Sequence, residues 1–344
     1  MSHDVTLIAT IAIGLVLAFV FGFLAQRLRL PPLVGYLVAG VVVGGAMPES
    51  LADGGLAGQL AEIGVMLMMF GVGLHFSVAD LLAVRRLAIP GAIGQILVAT
   101  ALGVAVMLAW GWSLGSALVL GLSLSVASTV VLLKALEDRN ALTTANGRIA
   151  VGWLIVEDLA MVLALVLLPA LVGVLGGTAA PGALAAPAQG VFLTLVITLA
   201  KVAVFVAAAL AIGPRVLPWL LREVARTGSQ ELFTLAVLAL ALGIAFAAAA
   251  LFGISFALGA FFAGMVLKES ELSHKAATNS LPLRDAFGVL FFVSAGMLFD
   301  PSILLEQPVL VAAVLALILV GKSLVALAIV LALGYPASTA LTVA

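Results

Sequence analysis

The chain has 344 residues, of which 65% are hydrophobic and only 9% charged, with a formal net charge of −1. An ordinary soluble domain is about 45–50% apolar and about 25% charged, so too few polar groups remain to cover a water-facing surface and the surroundings must be a lipid bilayer. Near-neutral charge without a basic tract gives no footing for nucleic-acid binding, and the absence of Cys excludes disulfides, iron–sulfur ligation and thiolate zinc sites.

The first residues, Met1-Ser2-His3-Asp4, lack the basic region and small-residue cleavage site of a removable signal peptide, so the first apolar run is expected to be a retained span. A helix needs roughly 20 apolar residues to cross the hydrocarbon core. Runs that meet or approach this lie near 5–25, 31–46, 57–76, 87–110, 115–135, 148–173, 189–212, 230–251, 254–267, 284–299 and 308–334, which makes eleven spans. Those at 31–46, 254–267 and 284–299 are short and rich in Gly.

Basic residues fix an orientation. Arg27 and Arg29, Arg85 and Arg86, Lys134, Arg139 and Arg148, Arg215, Arg222 and Arg226, and Lys268, Lys275 and Arg284 all fall in or beside alternate loops. The loops between them carry no Lys or Arg, so thirteen of the 15 basic residues share one side, the cytoplasm. The N-terminus is then outside. Lys201 and Lys322, the remaining two, fall inside spans. His3, His75 and His274 are scattered without metal-binding spacing, and no cofactor or resident metal is expected.

Two stretches resemble each other. Gly35-Tyr-Leu-Val-Ala-Gly40 matches Gly259-Ala-Phe-Phe-Ala-Gly264, and the match runs forward. Glu62-Ile-Gly-Val-Met-Leu, ending in Gly73-Leu-His-Phe76, parallels Asp285-Ala-Phe-Gly-Val-Leu, ending in Gly296-Met-Leu-Phe299, and Gly111-Trp112 parallels Gly334-Tyr335. The matched segments are 31–135 and about 254–344, with the first repeat taken on through the acidic span to 173. Basic-residue counting sends span 31–46 outward and span 254–267 inward, so the repeats are inverted. Inverted repeats are characteristic of secondary transporters, whose sites lie near the midplane beside interrupted helices. The second copy ends about ten residues into its counterpart of 115–135, so a twelfth span is expected to be incomplete, and a thirteenth is expected beyond it.

Glu157 and Asp158 lie about ten residues into span 148–173, or about 15 Å deep at 1.5 Å per residue. A carboxylate there costs at least about 2.5–3.5 kcal/mol, which is why intramembrane acids mark ion paths or proton relays, unless they form structural ion pairs. Adjacent helical residues project about 100° apart, so one should face the ion cavity while the other flanks it. Asp158 is expected to be the cation and proton site and Glu157 the secondary carboxylate. Such a group holds a proton or a cation but not both, and that competition is antiport in its simplest chemical form. Lys322, about fourteen residues into span 308–334, is the expected charge partner. Lys201 reads as a structural counterion or a snorkelling side chain.

Span 115–135 carries Ser123, Ser125, Ser128 and Thr129 at mid-depth. A broken helix there would offer carbonyl and hydroxyl oxygens, with Ser125, Ser128 and Thr129 as alkali-cation ligands. An unbroken helix whose hydroxyls bond back to their own backbone is the alternative. The place of this span in the repeat favours the break. Glu62, Glu231, Arg284 and Asp285 are read as span-end residues that cap, anchor or pair.

Phe256-Ala-Leu-Gly-Ala-Phe-Phe-Ala-Gly-Met-Val-Leu267, Ser125-Val-Ala-Ser-Thr-Val-Val131 and Val156-Glu-Asp158 resemble the monovalent cation:proton antiporter-2 family, in particular its Kef-type potassium efflux branch. The resemblance covers essentially all 344 residues. It implies an all-α polytopic membrane protein with the sodium/proton-antiporter fold: thirteen helices in full, about eleven and the start of a twelfth here. It further implies two discontinuous helices crossing near Asp158, a homodimer in the bacterial inner membrane, and elevator-like exchange of K⁺, or less readily Na⁺, for H⁺. Kef-type members usually carry a cytosolic nucleotide-binding domain, and no motif for one is found in this sequence. Relatives have Asp-Asp, Asn-Asp or Gln-Asp at the acidic pair. Glu157-Asp158 matches none, so ion choice and stoichiometry do not carry over. Two other functions stay open: a gated potassium channel, for which no Thr-Val-Gly-Tyr-Gly filter is present, and a sodium-coupled organic-anion transporter of the same fold, which an acidic pair disfavours. No nucleophile–base pair supports an enzyme.

Overall fold

The structure, a computed structural model, describes residues 6–46, 54–171, 191–268 and 270–344. Among these residues every regular element is helical. The elements are α1 (Thr6–Arg27), α2 (Pro32–Ala46), α3 (Gly54–Gly73), α4 (Val78–Ala109), α5 (Leu114–Ser125), α6 (Thr129–Asp138), α7 (Ala145–Leu171), α8 (Val191–Arg226), α9 (Gln230–Phe252), α10 (Phe256–Lys268) and α11 (Ser273–Met297). A short α12 (Ile303–Glu306) leads into α13 (Pro308–Ala316), a π-helical turn (Leu317–Lys322) and α14 (Ser323–Ala332), and α15 (Ala337–Val343) follows. Seven helices among the described residues are long and apolar enough to cross a membrane, and α2, α5 and α10 are apolar but shorter. This is a multi-pass membrane protein.

The chain divides into two compact units. The first comprises Met1–His75, Ala208–Leu251 and Ser255–Glu306. Here α3 packs on α10 and α11, and α2 on α1 and α11. Glycine makes the approach possible. A Cβ on Gly40 would fall 2.8 Å from the Gly296 Cα and onto the Val293 carbonyl oxygen, and one on Gly296 would meet the Gly40 Cα at 2.9 Å and the Leu37 carbonyl. Gly264 and Gly73 stand in the same relation: each Cβ would lie 3.0 Å from the other Cα, against the carbonyls of Phe70 and Phe261 respectively. Helix backbones touch at both crossings, the small-residue mode of packing in lipid.

The second unit comprises Phe76–Ala207, Phe252–Ile254 and Gln307–Ala344. Its α4 packs on α5, α7 and α14. The sequence starts α4 sharply at Ser77, whose hydroxyl accepts from the Asp80 N–H (3.1 Å) while Asp80 accepts from the Ser77 N–H (3.0 Å). This reciprocal cap satisfies two orphan donors, and Arg148 at the foot of α7 sits 3.8 Å from the same carboxylate. Gly111 and Gly334, matched in sequence, stop α4 and α14 in the same way, with φ of 81° and 80° that only glycine adopts without strain. The core joins Leu87 and Ala92 of α4, Trp153 of α7, Val330 of α14 and Ala340 of α15. Thr339 donates to Asn146 Oδ1 at 2.9 Å, tying α15 to the start of α7.

Two sequence expectations differ from the structure. Arg284 does not sit at a span end: α11 begins at Ser273, eleven residues earlier, and Arg284 is buried mid-helix, bonded to Asp285 at 3.1 Å. Its polar first half, Ser273–Leu283, hid the true start from a hydropathy reading. Glu62 is likewise inside α3, on its exposed face. Glu231 does lie in the first turn of α9, where the helix dipole favours an acid. Lys201 is exposed on α8, where a side chain can snorkel along the helix.

Candidate functional site

Span 115–135 is broken. The α-helix α5 stops at Ser125, Val126 is extended (φ −94°, ψ 141°), and α6 restarts after Ser128 (φ −72°, ψ 110°). Ser128 caps α6 by accepting from the Val131 N–H at 3.4 Å. Freed from the helical ladder, the Ala127 N–H points out of the break and donates to Glu157 Oε2 at 3.0 Å. At the first residue of α6, the Thr129 hydroxyl lies 3.0 and 3.2 Å from the two Asp158 oxygens. The break thus serves both acids on α7.

The two carboxylates are held differently. Glu157 is 1% exposed, and its second oxygen accepts from the Trp153 indole at 3.1 Å, so two rigid donors fix it. Asp158 is half-buried and has one rotatable hydroxyl as its donor. A hydroxyl can turn to offer its lone pairs instead, which leaves Asp158 the adaptable member of the pair. Glu157, not Asp158, lines a cavity of about 510 Å³ in this unit, together with Trp153, Gln95, Ser128 and Lys322.

Lys322 closes the π-turn and lies near enough for its charge to act on Glu157. Among the described residues no ion pair within 4.0 Å joins Lys322 to either acid, so the expected partner is a neighbour rather than a contact. Ser125 is fully buried and donates back to the Leu122 carbonyl at 2.7 Å, as Ser123 does to Val119 at 2.9 Å. Of the three hydroxyls expected as ligands, Thr129 alone bonds an acid, Ser128 caps α6, and Ser125 serves its own helix.

Sequence reasoning missed Trp153, although it sits one helical turn before Glu157 and therefore on the same face. It also missed Gly91, the residue that makes room for the indole. A Cβ on Gly91 would stand 2.5 Å from Trp153 Cη2. Gly91→Ala is expected to push the ring off Glu157 and cost about 1–3 kcal/mol, read as a lower thermal midpoint. Trp153→Leu added to that variant should restore part of the loss, whereas an unchanged midpoint in Gly91→Ala would mean the indole is not pinned there.

Comparison with known proteins gives the site its setting. The family model described as sodium/hydrogen exchanger, transmembrane, matches residues 15–344. The chain is 59% identical over its whole length to YbaL of Escherichia coli (strain K12), which bears a provisional cation/proton antiporter name, and spans 61% of that protein. It is 33% identical to the K(+) efflux antiporter 4 of Arabidopsis thaliana over 99% of this chain and 56% of the plant protein. In structure it resembles the sodium proton antiporter MjNhaP1 of Methanocaldococcus jannaschii at pH 8, with a TM-score of 0.69 and 14% identity over 97% of this chain and 80% of that one. The last likeness establishes the sodium/proton-antiporter fold, as the sequence motifs led us to expect. With a broken helix meeting an acidic pair inside that fold, the chain belongs to the sodium/hydrogen exchanger transmembrane family, whose members are transporters and not enzymes.

Proposed function

We propose that this chain is the membrane part of a proton-coupled monovalent cation antiporter, with K⁺ as its cation in preference to Na⁺. The observation that carries this reading is the delivery of Thr129 and the Ala127 N–H from one helix break to Asp158 and Glu157. Asp158 alternates between a proton and a cation. As the cation binds, the Thr129 hydroxyl rotates from donating to coordinating, and Glu157, locked by Trp153 and Ala127, supplies a fixed negative charge beside it. Lys322 balances that charge when the site holds no cation. The preference for K⁺ leans on the name of the plant relative.

The reading includes inverted repeats over 31–173 and 254–344, a homodimer in a bacterial inner membrane, an N-terminus outside, and an elevator-type movement. Support for the repeats comes from the paired crossings of the first unit. Gly264 takes the place of Gly40 in the matched sequences and Gly296 that of Gly73, and the contact of Gly40 with Gly296 is reproduced by that of Gly264 with Gly73.

The test is the full-length protein in proteoliposomes with an internal pH dye, given KCl or NaCl in turn. Proton movement that depends on K⁺ supports the reading, movement with Na⁺ alone changes the ion, and movement indifferent to both overturns antiport in favour of an organic-anion cargo. In the same assay Thr129→Val keeps the shape and removes the hydroxyl. It is expected to raise the half-saturating cation concentration about tenfold, the scale of one hydrogen bond to a charged group. A value equal to wild type would remove Thr129 from the site.

A further inference from the structure

Gln95 lies on α4, 4% exposed, on the wall of the cavity that Glu157 and Lys322 also line. Its amide nitrogen is placed by chemistry: Nε2 faces the Lys322 carbonyl oxygen at 3.5 Å, and only the nitrogen end can donate there. Its oxygen, Oε1, is buried and has no hydrogen-bond partner among the described residues. A buried acceptor left unmade is costly, and each such group in a native protein calls for a reason, a working role among them. The Lys322 ammonium forms no hydrogen bond among the described residues and lies within reach of the charge of Glu157. The π-turn Leu317–Lys322 sets it there, the kind of irregularity that recurs at working sites.

We propose that Gln95 is a positioning residue for Lys322, its amide oxygen receiving the ammonium whenever a cation occupies the acidic pair. This rests on the antiport reading above. An arriving cation takes over the negative charge that Lys322 had balanced, and the ammonium must then go somewhere out of water. Gln95 offers a neutral acceptor on the same wall, strong enough to hold the ammonium and weak enough to release it when the cation leaves. The position of Lys322 between Glu157 and Gln95 therefore sets how hard the cation must compete.

Two substitutions separate this role from a merely structural one. Gln95→Leu and Gln95→Glu both lose the donation to the Lys322 carbonyl, but they treat the ammonium oppositely. In reconstituted full-length protein, Gln95→Leu is expected to raise the half-saturating cation concentration roughly tenfold with little change in maximal rate, the loss of one hydrogen bond to a charge. Gln95→Glu is expected to lower it, because a fixed carboxylate holds Lys322 off the site. In a Lys322→Met background the effect of Gln95→Leu on half-saturation should vanish, although the backbone carbonyl that Nε2 faces is still present. Shifts of the same sign in both variants, no shift in either, or a Gln95→Leu effect that persists with Lys322→Met would overturn the proposal. If Gln95→Leu does not fold, the sign of the Gln95→Glu shift decides. Asp158→Asn is run alongside: should it transport normally, the site reading fails and Gln95 falls with it. If it is inactive while the Gln95 variants match wild type, the Gln95 role alone is wrong.

Discussion

Asp158→Asn is expected to reduce cation-dependent proton movement in proteoliposomes to the level of vesicles without protein. The side chains are nearly isosteric, and the Asn carbonyl can still accept from Thr129 at the 3.0 Å that Asp158 does. What is lost is the charge and the proton. An amide neither binds nor releases a proton in the range where transport runs, and it offers a cation one dipolar oxygen where a carboxylate offers a charge. In a medium of low dielectric that difference is amplified. Because Asp158 is half-buried with a single rotatable partner, the protein should fold and elute as wild type does. Activity that survives the change in well-folded protein would remove Asp158 from the transport step.

The second large effect lies in the other unit and concerns folding. Gly40→Ala adds one methyl, and that methyl would sit 2.8 Å from the Gly296 Cα and against the Val293 carbonyl oxygen. Neither neighbour is a side chain that can swing away, so α2 and α11 must separate along their length. The cost should reach about 3 kcal/mol, the upper range for overpacking, with a fall in thermal midpoint and in the yield of monodisperse protein. Gly264→Ala should match it, since its methyl would meet Gly73 at 3.0 Å in the same way. Gly45→Ala, in the same helix as Gly40 but with open space around its Cβ, should be neutral or slightly stabilising. Equal tolerance at positions 40 and 45 would mean the helices do not approach as closely as described.

What the sequence disclosed follows from how locally each feature is encoded. Ser125, Ser128 and Thr129 suit a broken helix and an unbroken one with back-bonded hydroxyls equally well, and it was the place of their span in the repeat that made the break between α5 and α6 legible. The motifs that hold the crossing glycines were matched in the sequence, but which glycine meets which was not, because Gly40 and Gly296 come together only in the packed helices. Lys322 was found from its depth, but its failure to touch either acid could not be read from spacing, since it depends on the π-turn, and Leu317–Gly321 carries no residue that encodes one. Gln95 was passed over as one amide in an apolar helix. What singles it out is its amide facing the Lys322 carbonyl, 227 positions away in sequence. Arg284 was misplaced because hydropathy marks where a helix enters lipid and not where it begins.

The glycine crossings of the first unit also bear on how the protein can be handled. Most packing in a soluble core is driven by water leaving apolar surface, and it weakens when the surrounding liquid is itself apolar or is exchanged. Backbones in direct contact, Cα against Cα and Cα–H against carbonyl oxygen, are held by short-range attraction between fixed groups. That attraction is indifferent to what fills the space outside. The helices joined at Gly40–Gly296 and Gly73–Gly264 should therefore keep their mutual spacing through extraction into detergent, exchange into nanodiscs and changes in lipid chain length.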